Sequence, residues 1–367
     1  MLYDYLIVGT GICGSVLAER LDKSGASVLM VEKRGCVGGN MRCEEIEGIT
    51  VHRYGAHIFR TSNPEVWSYV NRFVTFNRFT NSPIANYNGE LYNLPFNMNT
   101  FYQLFGVITP EDARAAIEHD RVPCAEPKNL EQHVLNTVGK TIYEKLVKGY
   151  TEKQWGRKCT ELPPETMRRI PVRFTFDNNY FNEKWQGIPN EGYNTLFDRM
   201  LRGIPVELNV DYIADRERLD KMARYVIYTG QLDALYGYSR GRLDYRTLRF
   251  EDVIINKNNS QGVAVMNYTD ATTPFTRSIE HKHFVFGDDR DKTVVTYEYS
   301  DEWHDGAEPY YPIENERNLY LYGQYRHMAK NDGIITCGRL AEYKYYDMQD
   351  TIASALNLSK RLCRSWK

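Results

Sequence analysis

The sequence predicts an α/β fold: a Rossmann-like dinucleotide-binding domain that is discontinuous along the chain, with an inserted helical domain and an antiparallel β-sheet domain. Three observations predict it. An apolar run over residues 4–9 ends in a glycine-rich turn and leads into an amphipathic helix, which is typical of a buried parallel strand and its crossover helix. Residues 95–150 carry helical periodicity with few strand signals. From about residue 170 onwards apolar residues alternate, as in half-buried strands, most clearly over 172–176, 263–267 and 294–298.

The glycine-rich turn has the spacing of a dinucleotide-binding site. Gly9 permits the tight turn, Gly11 lets a pyrophosphate approach the backbone, and Gly14 lets the helix pack closely on the strand. The N-terminus of the helix then faces the negative charge of the pyrophosphate. Glu32 ends the second predicted strand, where a carboxylate can bind ribose hydroxyls. These residues together predict that the first domain binds a dinucleotide.

A second pair of glycines indicates which dinucleotide is bound. Lys33-Arg34 follows Glu32 directly, and Gly38-Gly39-Asn40 comes shortly afterwards. This glycine pair resembles that of flavoproteins with two dinucleotide-binding domains, in which it meets the pyrophosphate of FAD from the far side. The resemblance implies FAD as the cofactor. The residues expected around it in this part of the chain are Gly9, Gly11, Ile12, Gly14, Glu32, Lys33, Gly39 and Asn40.

Composition excludes several classes of protein. The chain has 367 residues, of which 42% are hydrophobic, enough to fill two or three substructures. Its 46 Lys and Arg against 48 Asp and Glu give a formal net charge of −2, which argues against bulk nucleic-acid binding. No apolar run approaches the roughly 20 residues that span a bilayer, so we expect no membrane insertion. The N-terminus lacks the basic region of a secretory signal, and the 7 cysteines show no metal-ligand spacing, so we expect free thiols, a cytoplasmic location and no metal.

The pattern along the chain predicts how the domains are distributed. Thr109-Pro110 followed by two acidic residues is typical of a helix start. The apolar run at 225–229 resembles another Rossmann-type strand, which returns the chain to the first domain. We therefore expect three parts. They are the FAD-binding domain at 1–80, 191–238 and 320–367, the helical domain with a mobile substrate loop at 95–165, and the antiparallel sheet or substrate domain at 81–94, 166–190 and 239–319.

Several stretches, spread over essentially the whole chain, resemble one enzyme family. They are 54–59, 94–97, 149–156, 169–174, 177–181, 276–282 and 338–348. Their sequences, order and spacing are similar to those of prokaryotic UDP-galactopyranose mutases. The resemblance implies an isomerase that interconverts UDP-galactopyranose and UDP-galactofuranose without net redox change. It also implies a reduced FAD whose N5 attacks the anomeric carbon and expels UDP, after which an iminium forms and the sugar recloses as a furanose.

The same resemblance implies roles for individual residues. Arg169 and Arg277 match the catalytic positions that hold the diphosphate, and Arg246 is a third candidate for that role. His57 matches a catalytic histidine beside the isoalloxazine ring, and Trp155 matches a tryptophan that closes over the substrate. The other expected substrate contacts are Asn81, Tyr150, Thr151, Tyr180, Phe181, Asn267, Tyr311 and Tyr345. The other expected flavin contacts are Ile58, Arg339, Tyr345, Asp347 and Met348.

Two positions and two alternative functions stay open. Arg60 stands where members of the family commonly carry histidine, and either Tyr310 or Tyr311 contacts phosphate. One alternative is an FAD-dependent oxidoreductase of the amine-oxidase type; the other is a non-catalytic sugar-nucleotide binder. Arginines and aromatic residues suited to a nucleotide diphosphate favour the mutase over the oxidase. The expected partners are UDP-galactose or UDP-galactofuranose, a cellular reductant of the flavin and a second copy of the chain in a homodimer.

Overall fold

The computed structural model describes residues 2–167 and 172–364. Its strands are β1 (Tyr3–Val8), β2 (Val28–Glu32), β3 (Cys43–Ile46), β4 (Ile49–His52), β5 (Phe59–Thr61), β6 (Ile84–Tyr87), β7 (Glu90–Asn93), β8 (Trp185–Gly187), β9 (Val206–Leu208), β10 (Ala223–Tyr228), β11 (Tyr245–Ile255), β12 (Val265–Tyr268), β13 (Arg277–Glu280), β14 (Thr293–Glu302), β15 (Tyr311–Pro312) and β16 (Ile335–Thr336). Its helices are α1 (Ile12–Lys23), α2 (Pro64–Val70), α3 (Met98–Phe105), α4 (Pro110–Asp120), α5 (Leu130–Val138), α6 (Lys140–Ile142), α7 (Gly149–Trp155), α8 (Gly192–Met200), α9 (Arg216–Asp220), α10 (Leu232–Leu235), α11 (Glu316–Asn331) and α12 (Met348–Arg364). Across the two described ranges, no helix is long and apolar enough to cross a membrane.

The first sheet is the Rossmann-like sheet that the N-terminal pattern predicts. Its strands lie in the order β16-β10-β1-β2-β9, and every neighbouring pair is parallel. In the central strand β1, Ile7 pairs with Ile227 of β10 on one side and with Met30 of β2 on the other. Every residue of β2 is buried, because a parallel sheet that is covered on both faces needs apolar strands. Helices α1 and α12 contact each other and share one hydrophobic core with this sheet.

This sheet takes its strands from separate parts of the chain. Strands β1 and β2 lie near the N-terminus, β9 and β10 lie between residues 206 and 228, and β16 comes more than 100 residues after β10, at 335–336. The return of the chain at β10 agrees with the apolar run that predicted it. The fold is therefore α/β with a discontinuous Rossmann-like sheet, while the boundaries of the domains stay a prediction.

The second sheet is antiparallel except at one pair of strands. Its order is β15-β11-β14-β13-β12-β6-β7, and β12 pairs with β6 in parallel. Strands β6 and β7 form a hairpin that comes from residues 84–93, far from the rest of the sheet in sequence. Strands β11 and β14 form the longest pair, from Arg246 opposite Glu302 to Ile255 opposite Thr293. The sheet is therefore antiparallel in all but one pair, as the sequence predicts, and the hairpin joins its edge in the parallel direction.

Helices α3 to α7 form a third part around a core of their own. The predicted start of α4 is confirmed, because Pro110 is its first residue and the Thr109 side chain accepts a hydrogen bond from the Asp112 N–H. The helical pattern over 141–150 contains a π-helical segment, Tyr143–Lys148, directly before α7. Segments of this kind occur often at functional sites, and α7 carries several of the predicted site residues.

The alternation over residues 172–176 predicts a strand, and this prediction is wrong. Among these described residues, only Val172 forms a bridge, and it is an isolated one with Phe96. The Arg173 guanidinium instead donates to the Asp177 carboxylate at 3.0 Å and to the Phe181 carbonyl at 3.1 Å. The chain therefore turns around this side chain instead of extending, since tertiary contacts override the weak strand preference of a short segment.

Candidate active site

One large cleft lies where the two sheets and the helical part meet. Its volume is about 1420 Å³. The carboxyl ends of β1, β2 and β10 open into it, which is where parallel α/β sheets bind their ligands. Residues of α7, β12 and β13 and of the segment that leads into α12 line the opposite walls. The cleft is therefore large enough to hold more than one ligand group against different walls.

The glycines at one end of the cleft have two different roles, close backbone contact at Gly14 and Gly39 and open space at Gly11. A Cβ atom at Gly14 would lie 2.1 Å from the Gly9 carbonyl oxygen, and one at Gly39 would lie 2.8 Å from Cα of Gly11. These glycines are needed for close contact between backbones. Gly11 differs, because it has an ordinary φ of −64° and a Cβ there would meet nothing closer than Gly39 Cα at 4.0 Å. The space over Gly11, at the N-terminus of α1, therefore fits the pyrophosphate of a dinucleotide.

Glu32 is held in a fixed orientation beside this space. Its Oε2 accepts hydrogen bonds from the Thr10 N–H at 2.9 Å and the Thr10 hydroxyl at 2.7 Å, and its Oε1 accepts from the Arg34 N–H at 3.0 Å. Oε1 has a further lone pair, so the group can still accept from a ribose hydroxyl. Arg34 and Lys33 both pair with Glu308, at 2.9 and 3.2 Å. These residues fit the dinucleotide that the glycines predict.

His57 lines the cleft as a neutral imidazole. Its Nδ1 lies 2.7 Å from the Gly55 carbonyl oxygen. A carbonyl can only accept, so Nδ1 carries the proton and Nε2 is the acceptor of the ring. Burial lowers the pKa of His57 to about 4, and the nearby guanidinium groups of Arg339 and Arg277 act in the same direction. At neutral pH, His57 therefore offers a hydrogen-bond acceptor and no positive charge.

Arg277 brings a permanent positive charge to the same wall. It begins β13, and its Nε lies 2.8 Å from Oε1 of Glu298, which is buried on the neighbouring strand β14. Burial alone would lower the pKa of Arg277, but the Glu298 carboxylate more than offsets this and the pKa is raised. This ion pair lies on the Nε edge of the guanidinium. The Nη groups are therefore the donors that can serve a ligand in the cleft.

Aromatic side chains form a second wall. The rings of Tyr311 and Tyr345 stack at 5.1 Å with an interplanar angle of 12°. The Arg339 guanidinium lies 5.7 Å from both ring centres and donates to the carbonyls of Tyr346 and Tyr310. Tyr310 also borders the cleft but is only 4% exposed. Of the two candidates Tyr310 and Tyr311, only Tyr311 stacks on Tyr345. We therefore retain Tyr311 as the candidate for phosphate contact.

Arg60 faces the cleft, not solvent. Its guanidinium lies 4.4 Å from the ring centre of Phe181 and pairs with Glu183 and with Asp347, the latter at 2.9 Å. The ring of Tyr180 packs edge-on against Phe181 at 5.4 Å. Two carboxylates therefore balance the charge of Arg60, which joins predicted substrate-contact and flavin-contact residues in one cluster.

Helix α7 is fastened to the second sheet. A Cβ atom at Gly149 would lie 2.4 Å from the Thr269 carbonyl oxygen, so only glycine allows this approach. The Lys153 ammonium donates to the carbonyls of Tyr268, Thr273 and Phe275 at 2.8 to 3.1 Å, and burial lowers the pKa of Lys153 to about 8. These contacts set the place of the neighbouring Tyr150, Thr151 and Trp155, which line the cleft.

Arg246 lies outside the cleft lining, which corrects its predicted role as a third arginine for the diphosphate. It is 3% exposed in β11. Its Nη1 pairs with Glu302 at 2.5 Å, its Nε donates to the Gln154 carbonyl at 3.2 Å, and its Nη2 donates to the Ser300 hydroxyl at 3.1 Å. The register of β11 turns the guanidinium under the end of α7. Arg246 therefore supports this helix and has its donors occupied by the protein.

The cleft brings together most of the residues that the sequence singled out. Those that line it are Gly9, Gly11, Ile12, Glu32, Lys33, Gly39, Asn40, His57, Ile58, Asn81, Tyr150, Thr151, Trp155, Tyr180, Phe181, Asn267, Arg277, Tyr311, Arg339, Tyr345, Asp347 and Met348. Gly14 does not line it, as expected of a residue that serves helix–strand packing. Arg169 lies outside the described residues.

Sequence reasoning missed some residues of the lining. Arg157 lines the cleft and directly follows the matched stretch 149–156, so the signal was its position next to that stretch. Glu308 lines it too and neutralises Lys33 and Arg34. It follows no motif, because only the folded chain brings it to the carboxyl end of β2. Its acidic side chain alone gave no signal.

The fold and the cleft define a dinucleotide-binding protein of the Rossmann-like class, with a second compartment lined by cationic and aromatic side chains. Residues 7–73 match the family model of an NAD(P)-binding Rossmann-like domain, and residues 145–345 match that of UDP-galactopyranose mutase. The chain is 39% identical to a probable UDP-galactopyranose mutase of Klebsiella pneumoniae, over 98% of this chain and 94% of that protein. The chain belongs to the UDP-galactopyranose mutase family.

Two further comparisons bear on function and fold. The chain is 35% identical to a dTDP-fucopyranose mutase of Escherichia coli, over 97% of both chains. A crystal structure of reduced UDP-galactopyranose mutase shares the fold, with a TM-score of 0.77 at 15% identity, over 99% of this chain and 96% of that one. The resemblance and the α/β fold inferred from the sequence are confirmed. Membership of this family favours an isomerase over the oxidoreductase and the non-catalytic binder.

Proposed function

We propose that the protein interconverts the pyranose and furanose forms of UDP-galactose and that it does so with reduced FAD. The observation that carries the proposal is that one cleft joins a dinucleotide cradle at Gly11 to a half-buried, permanently charged Arg277. The cradle suits the cofactor, and the arginine suits the diphosphate of a nucleotide sugar. Membership of the UDP-galactopyranose mutase family supports the reaction.

The residues at the first sheet fit FAD. Gly11 leaves the space for a pyrophosphate, Gly39 allows the close backbone contact beside it, and Glu32 is oriented to accept from a ribose hydroxyl. Bound in its reduced form, FAD supplies a nucleophilic nitrogen, N5, to the anomeric carbon of the sugar, so that isomerisation needs no net oxidation or reduction. His57 presents no positive charge to this region, and its Nε2 is available as an acceptor.

Arg277 stabilises the charge that builds up on the diphosphate as the bond from the anomeric carbon to UDP breaks. A guanidinium that is already fixed by Glu298 needs no reorganisation at that moment. The same group holds the departed UDP for the reverse step, in which UDP must return to the same carbon. Arg169 is expected to act beside it. This expectation rests on the family resemblance.

The remaining walls suit the base and the sugar. Tyr150 and Phe181 offer aromatic faces for uracil, and Tyr311 and Tyr345 offer hydroxyls for phosphate or sugar oxygens. Oδ1 of Asn267 is buried and has no hydrogen-bond partner in the described part of the chain. A buried acceptor of this kind is costly unless a ligand donates to it, and a sugar hydroxyl would satisfy it. Trp155, at the end of α7, is expected to close over the substrate and exclude water.

A second nucleotide sugar competes with UDP-galactose as the substrate. The similarity to a dTDP-fucopyranose mutase is nearly as high as that to the probable UDP-galactopyranose mutase. Fucose lacks the 6-hydroxyl of galactose, and dTDP carries a methyl group on its base and lacks the ribose 2′-hydroxyl. We propose UDP-galactose because the matched family model is that of UDP-galactopyranose mutase.

One experiment tests both the reaction and the substrate. Purified holoprotein is reduced with dithionite under anaerobic conditions and is given UDP-galactofuranose or dTDP-fucofuranose in parallel, and the pyranose forms are followed by chromatography. We expect conversion of UDP-galactofuranose at a kcat/KM at least about tenfold above that of the dTDP sugar. Preferred conversion of the dTDP sugar would replace the proposed substrate. No conversion of either, with flavin bound and reduced, would overturn the proposed function.

Further predictions concern the cellular setting of the protein. Every cysteine of the chain is a free thiol in the structure, which agrees with a reducing compartment, and we propose that the protein acts in the cytoplasm. A cellular reductant of the flavin and a homodimeric state stay predictions from the family resemblance.

A further inference from the structure

A row of three histidines runs from the wall of the cleft into the second sheet, and the two behind the wall are buried. His57 lines the cleft, His52 lies behind it in β4, and His281 follows at the end of β13. His52 is 2% exposed and His281 is 1% exposed. Burial lowers the pKa of His281 to about 3 and lowers that of His52 well below its ordinary value. Neither His52 nor His281 has a role in the proposed chemistry.

Hydrogen bonds connect these histidines in sequence. The backbone N–H of His57 donates to Nδ1 of His52 at 3.1 Å, and the backbone N–H of His52 donates to Nδ1 of His281 at 3.2 Å. Nε2 of His281 lies 2.7 Å from the Thr296 hydroxyl, which donates to Oδ1 of Asp252 at 2.6 Å. Asp252 also pairs with Arg53, whose side chain is 39% exposed. This series of hydrogen bonds thus links the cleft to the protein surface.

Only one set of proton positions satisfies all these bonds. A backbone nitrogen can only donate, so Nδ1 of His52 and Nδ1 of His281 must both be bare. His281 then carries its proton on Nε2 and donates it to the Thr296 oxygen. The Thr296 hydroxyl, whose oxygen accepts from His281, can in turn donate its own proton to Oδ1 of Asp252. Protonation of Nδ1 in either histidine would place two N–H groups against each other.

We propose that His52, His281 and Thr296 are positioning residues, which hold the backbone of His57 at the place that the reaction requires. This inference rests on the proposed function. The Tyr193 hydroxyl supports the same residue from the other side by donating to the His57 carbonyl at 2.9 Å. The ring of His52 is held in turn by stacking on Phe284 at 4.7 Å with an interplanar angle of 9°. Loss of these hydrogen bonds would therefore leave the backbone N–H of His57 without its fixed acceptor.

Thr296 is the residue at which the series of hydrogen bonds can be interrupted with the least change of side-chain shape. Thr296→Val keeps the β-branched shape in strand β14 but removes the hydroxyl that fixes the proton of His281. Thr296→Ser keeps the hydroxyl. Thr293→Val makes the same change at another buried threonine of the same strand, which takes no part in this series of hydrogen bonds. The three variants separate the hydrogen bond from the general cost of a buried substitution.

Steady-state kinetics of the reduced holoenzyme test the inference. Because small displacements at a reacting centre cost about 10- to 100-fold in rate, we expect Thr296→Val to lower kcat at least about tenfold while KM stays within about twofold. Thr296→Ser and Thr293→Val should keep a kcat within about twofold of the wild type. A Thr296→Val protein that loses only thermal stability and keeps its kcat would overturn the inference.

A measurement on the unchanged protein decides the matter without activity. In ¹⁵N-histidine NMR spectra of the holoprotein, assigned with His52→Asn and His281→Asn, both rings should show the neutral form with the proton on Nε2. A proton on Nδ1 of either ring would contradict the inference, even if Thr296→Val failed to fold. Because these spectra do not depend on turnover, failure of the proposed function would appear separately, as an inactive wild type with the expected tautomers.

Discussion

Nε of Arg277 lies 2.8 Å from the carboxylate of Glu298 at the wall of the cleft. The two residues come from neighbouring strands and are paired directly opposite each other in the sheet. The arrangement leaves the Nη side of the guanidinium for a ligand and removes the freedom that a flexible cation would lose on binding. A preorganised donor of this kind is what the departure of a diphosphate needs.

Replacement of Arg277 should affect the chemical step. We expect Arg277→Ala to lower kcat by about 10²- to 10³-fold, because a donor to a developing oxyanion is lost. Arg277→Lys should recover little of this, because an ammonium cannot pair with Glu298 and hold the diphosphate as a fork does. Arg249→Ala is the control, since Arg249 is exposed on β11. A fully active Arg277→Ala protein would remove this residue from the mechanism.

Gly11 and Gly14 should respond differently to the same substitution. Gly11→Ala adds a Cβ with no protein atom closer than 4.0 Å, so the apoprotein should keep its thermal stability and lose most of its affinity for FAD. Gly14→Ala drives a Cβ to 2.1 Å from the Gly9 carbonyl and should destabilise the fold by about 1–3 kcal/mol. Thermal melts with and without FAD, together with flavin titration, separate the two effects. Normal FAD binding by Gly11→Ala would contradict the proposed place of the pyrophosphate.

The stability of the protein should fall on mild acidification. His57 and His281 have folded pKa values of about 4 and about 3, below the value of 6.5 for an unperturbed histidine. Between these limits the unfolded state binds more protons, so the free energy of unfolding decreases as the pH falls from 6.5. Each ring contributes about 1.4 kcal/mol per pH unit in its window.

Denaturant unfolding between pH 7 and pH 5 checks this dependence. Proton uptake on unfolding should decrease by about one in His57→Asn, which cannot titrate. If the wild type has the same free energy of unfolding at pH 7 and pH 5, or if the variant takes up as many protons as the wild type, the histidines are not held neutral by the fold.

Arg246 should behave as a support for α7 and not as a ligand of the diphosphate. Its guanidinium donates to the Gln154 carbonyl beside Trp155, so Arg246→Ala should weaken the binding of UDP and of uridine by similar factors. Arg277→Ala should weaken the binding of UDP far more than that of uridine. Titration of both ligands by calorimetry tests the difference. A loss confined to UDP in the Arg246 variant would restore the role that the sequence predicted.

The sequence predicted those features that depend on local spacing. The dinucleotide end of the cleft was predictable because its glycines lie in one short segment. Gly9 allows the tight turn, Gly11 leaves space for the pyrophosphate, and Gly14 allows the helix to pack on the strand. The start of α4 was predictable for the same reason, since Thr109 and Pro110 act on neighbouring backbone groups. Residues that matched a family motif mostly reached the cleft because the motif preserves both the element and its register.

Features that depend on long-range pairing could not be predicted. Arg246 was assigned to the diphosphate, yet the register of β11 against β14 turns it towards Glu302. The alternation over 172–176 suggested a strand, but Arg173 binds groups further along the chain. His52 and His281 are joined only because β4 packs near the end of β13. Nothing in either local sequence records that contact.

The central claim is that reduced FAD supplies the nucleophile while the protein holds the sugar and the departing UDP. The most direct measurement reconstitutes the apoprotein with FAD or with 5-deaza-FAD, in which carbon replaces N5, reduces both forms and quantifies UDP-galactopyranose formed from UDP-galactofuranose. We predict that both flavins bind with equal stoichiometry and that only the FAD form converts the sugar. Conversion by the 5-deaza form would contradict the account.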